Sequence, residues 1–320
     1  YAFSKDKVYE VIIEHYNRVG TNGLELQFES KDFASDQEIR HLKSADCVVV
    51  CLGHDSRTEK ENKDRTFALP DGQEEFLRNV LKYNKNVVVV LNAGGAVEMA
   101  PWLPDVKAVL MAWYTGQQGG VAVAEIITGK VNPSGRLPIS FETRPEDNPC
   151  HDSYYENIPR MRPESVNPYS RNEYKEGIFV GYRGYEKNGV RPLYPFGFGL
   201  SYTSFDYSDL KIVRDGDEFI VTFDIRNAGK VAGAEVAQVY VTDDECSVIR
   251  PVKELKGFGK VFLKPGEKRT VEVRLDEESF RYYDVVKHGF VVEDGDFTVS
   301  VGASSDDIRL KGKLSLSANE

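Results

Sequence analysis

The sequence predicts an α/β unit built on a mainly parallel sheet, followed by an all-β antiparallel sandwich. Three observations predict it. In the first half, short Val-rich runs alternate with stretches whose apolar residues recur at helical spacing. From about residue 207 the pattern changes to period-two alternation broken by turn chemistry. The chain's 320 residues suit about two domains, and its 41% hydrophobic and 29% charged residues are those of an ordinary globular protein.

Taken in order, residues 7–19 and 35–43 read as helices, and residues 45–52 (ADCVVVCL) as a strand. A helix is expected over 72–83, where Phe76, Leu77, Val80 and Leu81 share one face. Residues 86–91 (NVVVVL) and 108–113 read as further strands, and 119–128 as a helix closed by Gly129. Continuous β-branched runs mark strands buried on both faces, so βαβ units with helices on both sides of a parallel sheet are expected over residues 1–145. Residues 142–175 are rich in Pro, Asn, Tyr and charge without a sustained period. The aromatics set among Gly and Pro in 174–185 and 192–205 (PLYPFGFGLSYTSF) suit a stiff strap, so 146–205 reads as an extended inter-domain segment.

In residues 206–320, four strand faces stand out: Phe219, Val221, Phe223 and Ile225; Ala237, Val239 and Val241; Val271, Val273 and Leu275; Phe297, Val299 and Val301. Turn sequences at 214–217, 227–229, 264–267 and 293–296 separate them. Short alternating strands at this spacing predict a sandwich of immunoglobulin or fibronectin type.

Composition excludes several functions. Lys plus Arg total 41 against 51 Asp plus Glu, a net charge of −10, which argues against a nucleic-acid binder. The longest apolar runs are too short to cross a bilayer, and no basic-then-apolar leader opens the chain. A first residue of Tyr rather than Met is expected of a chain that was processed, trimmed or taken from something longer. Cys47 and Cys51, roughly 13 Å apart along one strand at ~3.3 Å per residue, cannot form a disulfide. All four cysteines read as thiols, with no His or Cys at the spacing of a zinc site.

In an open parallel sheet, ligands bind beyond the carboxyl ends of the strands. The loop leaving the first strand, residues 54–65 (HDSRTEKENKDR), packs four carboxylates and four cations into twelve residues. It is either a site or a solvated loop whose charges neutralise one another. His54 borders it and is a candidate ligand contact or a structural histidine. Trp113 and Tyr114, at the end of the third strand, could stack on a sugar or fill the core. The Gly-rich turns 92–95 and 116–120 match neither GxGxxG nor the P-loop, which weighs against nucleotide binding. The acidic turns 243–245 and 294–296 lack the spacing of calcium loops.

Residues 59–73 (EKENKDRTFALPDGQ) resemble the E-x-E-G-x-D-R…LP..Q signature of family 3 glycoside hydrolases, the β-glucosidases and their relatives. Collinear matches follow: Pro101-Trp102; residues 112–117 (AWYTGQ) with Gly119-Gly120; residues 131–138 (VNPSGRLP); 176–183 (EGIFVGYR); 192–203 (PLYPFGFGLSYT); and 250–258, 264–267 and 280–284 toward the end. The resemblance implies a flavodoxin-like α/β sandwich, mainly parallel, followed by a fibronectin III-like sandwich over residues 206–320. It implies a retaining exo-β-glycosidase, first of all a β-glucosidase, with no cofactor or metal.

By that resemblance, Glu61 matches the general acid/base, with Glu59 as the fallback. His54 and Trp113 are candidate substrate contacts, and Asp64 and Arg65 brace the loop. The family's nucleophile is an Asp on a separate (β/α)8 barrel, which needs about 250 residues more, so the barrel is expected in the same or another polypeptide. The retaining chemistry places the two carboxyl groups about 5–5.5 Å apart. The family carries Gly where this chain has Asn62, a residue that tolerates left-handed backbone better than most. The partner expected is a β-linked glucoside or oligosaccharide, with no nucleic acid and no membrane; β-xylosidase or related glycone specificity is the alternative, and a non-catalytic sugar-binding or stabilising module the second class. Homo-oligomerisation and compartment, cytoplasmic or exported, stay open.

Overall fold

The computed structural model describes residues 33–61, 65–157 and 173–317. The helix expected over 7–19 and the brace residue Asp64 lie outside the described residues. The first helix described, α1 (Asp36–Ser44), opens with a capping box: the Ser35 hydroxyl accepts the Glu38 N–H while the Glu38 carboxylate accepts the Ser35 N–H.

Three strands, β1 (Val48–Gly53), β2 (Val87–Asn92) and β3 (Ala108–Met111), form a parallel sheet in that order. Between the first two lies α2 (Gln73–Tyr83), which buries Leu77, Val80 and Leu81, and after the third comes α3 (Gly119–Ile127). Fully buried Trp102 anchors this core, its indole N–H donating to the Glu98 carbonyl at 2.9 Å.

Two expectations need correction here. Burial on both faces holds for β2, where Val87, Val89, Val90 and Leu91 are all buried, but on β1 Val49 and Cys51 are exposed. β1 is the outer strand of the described sheet, and only its face carrying Val50 and Leu52 packs on the core. The strand β3 also stops at Met111, because Trp113 takes a left-handed φ of 55° that ends the extended run. All four cysteines are thiols.

The connecting segment is not extended throughout. It holds α4 (His151–Asn157) and α5 (Tyr182–Asn188). α5 lies between Gly181 (φ 55°) and Gly189 (φ 63°), and seven residues are too few for a helical period to show in sequence. Further on, the segment joins the two halves. Tyr194 and Phe141 exchange both backbone hydrogen bonds, and Leu137 bonds Gly197 and Phe198. On the other side, the Gln238 amide of the sandwich donates to the Gly197 carbonyl at 3.2 Å. The stretches 131–138 and 192–203, prominent in sequence, therefore meet as structural docking rather than as chemistry.

The sandwich packs a sheet of β4 (Phe205–Asp215), β5 (Glu218–Asn227) and β8 (Lys268–Leu275) on a second of β6 (Gly233–Asp243), β7 (Glu254–Leu263), β11 (Gly295–Gly302) and β12 (Ile308–Leu316), with a small β9–β10 hairpin (Tyr282–Asp284, Gly289–Val291). Neighbouring strands within each sheet are antiparallel. Every residue of the four alternating faces read from sequence is buried in one core. The turns behave as their residues demand, with Gly216 (φ 62°) and Gly266 (φ 77°) in left-handed backbone.

Candidate active site

The carboxyl ends of the three parallel strands converge on one carboxylate. The loop after β1 leaves through Gly53 (φ 139°), where a side chain would clash with the Asn92 carbonyl at the end of β2. Both backbone groups of Gly53 are held by the Gln73 side chain, at 2.7 and 2.8 Å. The loop then turns on Asp55, whose carboxylate accepts the Arg57 N–H and guanidinium, a pairing that holds it down at about 2.

Glu59 follows. Its Oε1 accepts the Arg65 Nε–H at 2.8 Å; its Oε2 accepts the Gly94 N–H at 2.9 Å and the Tyr114 hydroxyl. Burial alone would raise this carboxyl, yet the Tyr114, Gly94 and Arg65 donors overrule it and push it down to about 2. Tyr114 responds in the opposite sense: burial and the hydrogen bond to Glu59 hold its phenol neutral up to about 12. Arg65 is itself fixed, donating to the Thr66 carbonyl at 3.1 Å and to the Ala96 carbonyl at 2.7 Å. The Glu59 and Arg65 side chains are only 21% and 15% exposed, so solvent screens the pair little.

Glu61, two residues on, is exposed, and among the described residues none hydrogen-bonds its carboxylate. The two glutamates of the motif thus differ in setting: three donors hold the Glu59 carboxylate, and among the described residues none holds that of Glu61. His54 is 6% exposed with both ring nitrogens buried and, among the described residues, without a hydrogen-bond partner. Burial first, then the Arg65 charge, lowers its pKa and keeps the ring neutral. The Trp113 ring lies edge-on to Phe141 at 6.0 Å and packs on the core, while its carbonyl accepts from Asn92 Nδ2 at 2.9 Å. The Gly94 N–H that a phosphate would need in the 92–95 turn is taken by Glu59. A cleft of about 840 Å³ opens beside Arg65, its lining including Phe67, Ala96, Tyr182, Tyr185 and Phe196.

The residue that sequence reasoning missed is Tyr114 as a carboxylate donor. Tyr114 and Glu59 are 55 positions apart, on loops after the two strands that flank β2, and only the sheet order brings them together.

The clamp has a measurable acid dependence. Because the folded-state pKa of Glu59 lies below its ordinary value, its contribution to stability is complete above pH 4.5 and is lost as pH falls toward about 2. Allowing for partial exposure, that contribution is about 2 kcal/mol. Thermal melts across this window are expected to fall more steeply for the parent than for Glu59→Gln, which has no carboxylate to protonate. Parallel curves would contradict the geometry.

The family model for the Glycosyl hydrolase family 3 C-terminal domain matches residues 6–182, and that for the Fibronectin type III-like domain matches residues 235–305. The chain is 44% identical to thermostable beta-glucosidase B of Acetivibrio thermocellus, over 96% of this chain and 39% of that protein. It is 42% identical to a beta-glucosidase of Bacteroides ovatus, over 87% of this chain and 37% of that one. In structure it is similar to the family 3 beta-glucosidase of Bifidobacterium adolescentis (TM-score 0.78, 39% identity, 88% of this chain and 40% of that chain). Beta-glucosidase 3B of Thermotoga neapolitana, solved with α-D-glucose, is similar at TM-score 0.79 and 37% identity, over 88% of this chain and 39% of that chain. The chain therefore spans about two fifths of the length of the relatives it matches. With the parallel sheet, its loop of carboxylates and the antiparallel sandwich in this order, the chain belongs to glycoside hydrolase family 3, of which it carries the C-terminal domain and the fibronectin type III-like domain.

Proposed function

We propose that this chain supplies the general acid/base of a retaining β-glycosidase of β-glucosidase type, with Glu61 in that role and an Asp nucleophile on a (β/α)8 barrel outside the chain. One observation carries the reading. Of the two motif glutamates, Glu59 is held ionised by three donors, whereas Glu61 stands exposed beyond the carboxyl end of β1, its carboxylate bonded by none of the described residues. A docked barrel would bring its nucleophile against this surface, at about the 5–5.5 Å separation of retaining carboxyl pairs.

The reaction then runs in two steps. The nucleophile attacks the anomeric carbon as Glu61 gives its proton to the departing glycosidic oxygen, leaving a glycosyl-enzyme and a free alcohol. Glu61, now a carboxylate, takes a proton from water; the water oxygen forms the new bond to the anomeric carbon and the nucleophile leaves with its electron pair. One water is consumed and both partners regain their starting states.

The named relatives favour a glucoside as substrate. A β-xyloside or related glycone is the alternative, because most glycone contacts would lie on the barrel. The test is hydrolysis of nitrophenyl β-glucoside and β-xyloside by the chain alone and with the barrel portion supplied. Activity only with the barrel is expected, and the faster substrate names the glycone. No turnover with a folded barrel present would favour a non-catalytic sugar-binding or stabilising module. Turnover by the chain alone would overturn the assignment, since it would need a nucleophile within this sequence.

A further inference from the structure

We infer that Glu59, Arg65 and Tyr114 act as a positioning clamp that fixes the attitude of Glu61, an inference that rests on the acid/base reading above. The Glu59–Arg65 pair, with Nε 2.8 Å from Oε1, ties together two residues that stand on either side of Glu61 in sequence. Glu61 sits two residues from the pinned end, a span of at most about 7 Å. That end is tied to all three strands: through its own chain to β1, through the Gly94 N–H to the loop after β2, and through the Tyr114 hydroxyl to the end of β3. The other end is tied by Arg65 to the Ala96 carbonyl.

Two further features belong to the same construction. Trp113 adopts a left-handed φ of 55°, a conformation that is unfavourable for a non-glycine residue. Asn92 Nδ2 holds the Trp113 carbonyl in that turn at 2.9 Å, and the next residue is the Tyr114 that reaches Glu59. At Gly94, a Cβ would come within 2.8 Å of Glu59 Oε1, so glycine is the residue that lets the carboxylate approach its backbone donor. Strain, close approach and a partly buried ion pair converge on a carboxylate that has no proton to give. Fixing the loop accounts for all three.

A loose acid/base is a poor one, because a displacement of about 1 Å can cost about 10²-fold in rate. In the complete enzyme, Glu59→Gln is expected to lower kcat/KM for phenyl β-glucoside about 10²-fold and Tyr114→Phe about 10-fold. Both variants should keep kcat/KM for 2,4-dinitrophenyl β-glucoside within about threefold, since that leaving group departs without protonation. Neither should be accelerated by azide, whereas Glu61→Ala should be. Equal losses on the two substrates, tracking a fall in melting temperature, would reduce the clamp to a structural brace and overturn the inference. Azide acceleration of Glu59→Ala would make Glu59 itself the acid/base and overturn it as well. If Glu61→Ala behaves as an acid/base variant while Glu59→Gln and Tyr114→Phe match the parent, the clamp fails and the proposed function stands. If Glu61→Ala shows neither the leaving-group split nor azide acceleration, the acid/base reading has failed, and the clamp falls with it.

Discussion

Glu61→Ala in the complete enzyme is expected to lower kcat/KM for phenyl β-glucoside by about 10³-fold and to leave that for 2,4-dinitrophenyl β-glucoside within a few-fold. The split follows from what the proton does. Phenoxide is a poor leaving group and needs protonation as the glycosidic bond breaks; dinitrophenoxide does not. Since kcat/KM reports events up to formation of the glycosyl-enzyme, only the first substrate registers the missing acid. The second step loses its general base with either substrate, so the glycosyl-enzyme accumulates and kcat falls together with KM. Azide, already an anion, attacks that intermediate without a base and should restore turnover while producing glycosyl azide. Alanine at 61 leaves the Glu59 clamp untouched, because the two carboxylates share no described partner. Equal losses on both substrates would sink the assignment.

Much of the architecture was legible because each half speaks with one period. The faces Phe219–Val221–Phe223–Ile225 and Val271–Val273–Leu275 alternate so regularly that their burial followed from sequence alone. The parallel sheet was legible as a class and less so in detail. The Val runs of β1 and β2 look alike, yet only β2 lies between two neighbours, and strand order is not written in a local window. The helix α5 was hidden because two glycines bound it within seven residues. At the site, sequence located the loop, and the resemblance put Glu61 first as acid/base with Glu59 as the fallback. The different surroundings of the two, two like side chains two positions apart, come from Tyr114 and Gly94, brought in from other strand ends. His54, which sequence offered as a ligand contact, has its ring nitrogens buried, and Trp113 turns its ring to Phe141. Neither orientation has a local sequence signal.

The second large effect concerns the joint between the two halves. Arg136, within the 131–138 stretch, pairs with Glu235 of β6 at 2.6 Å, and their side chains are 10% and 4% exposed. The Tyr207 hydroxyl donates to the other Glu235 oxygen at 2.7 Å, while Arg136 Nε is buried without a partner among the described residues. Burial raises the Glu235 carboxyl, and the opposing pull of Arg136 and Tyr207 does not cancel it. The attraction within the pair is thus offset by the cost of burying the Glu235 carboxylate. Removing one member is a different matter, because it strands a buried charge at a cost of about 3–5 kcal/mol. Arg136→Ala and Glu235→Ala are each expected to lower the melting temperature by roughly 10 °C. The double variant Arg136→Met/Glu235→Leu should lie within about 1 kcal/mol of the parent, while Arg136→Met and Glu235→Leu alone each lose about as much as the alanine variants, a strong coupling in a double-mutant cycle. The pH dependence has a definite sign. With its folded-state pKa raised, Glu235 binds its proton more tightly in the folded protein, so stability declines as pH rises above about 4.5, the ordinary value. Arg136→Ala carries that decline to higher pH, because only Tyr207 and the Arg309 charge then oppose burial, and acidification should restore part of what the variant lost. A single variant within 1 kcal/mol of the parent at neutral pH would show that water reaches the pair and that the other contacts of the joint, the Gln238–Gly197 and Asn132–Ala232 bonds among them, hold the two halves together.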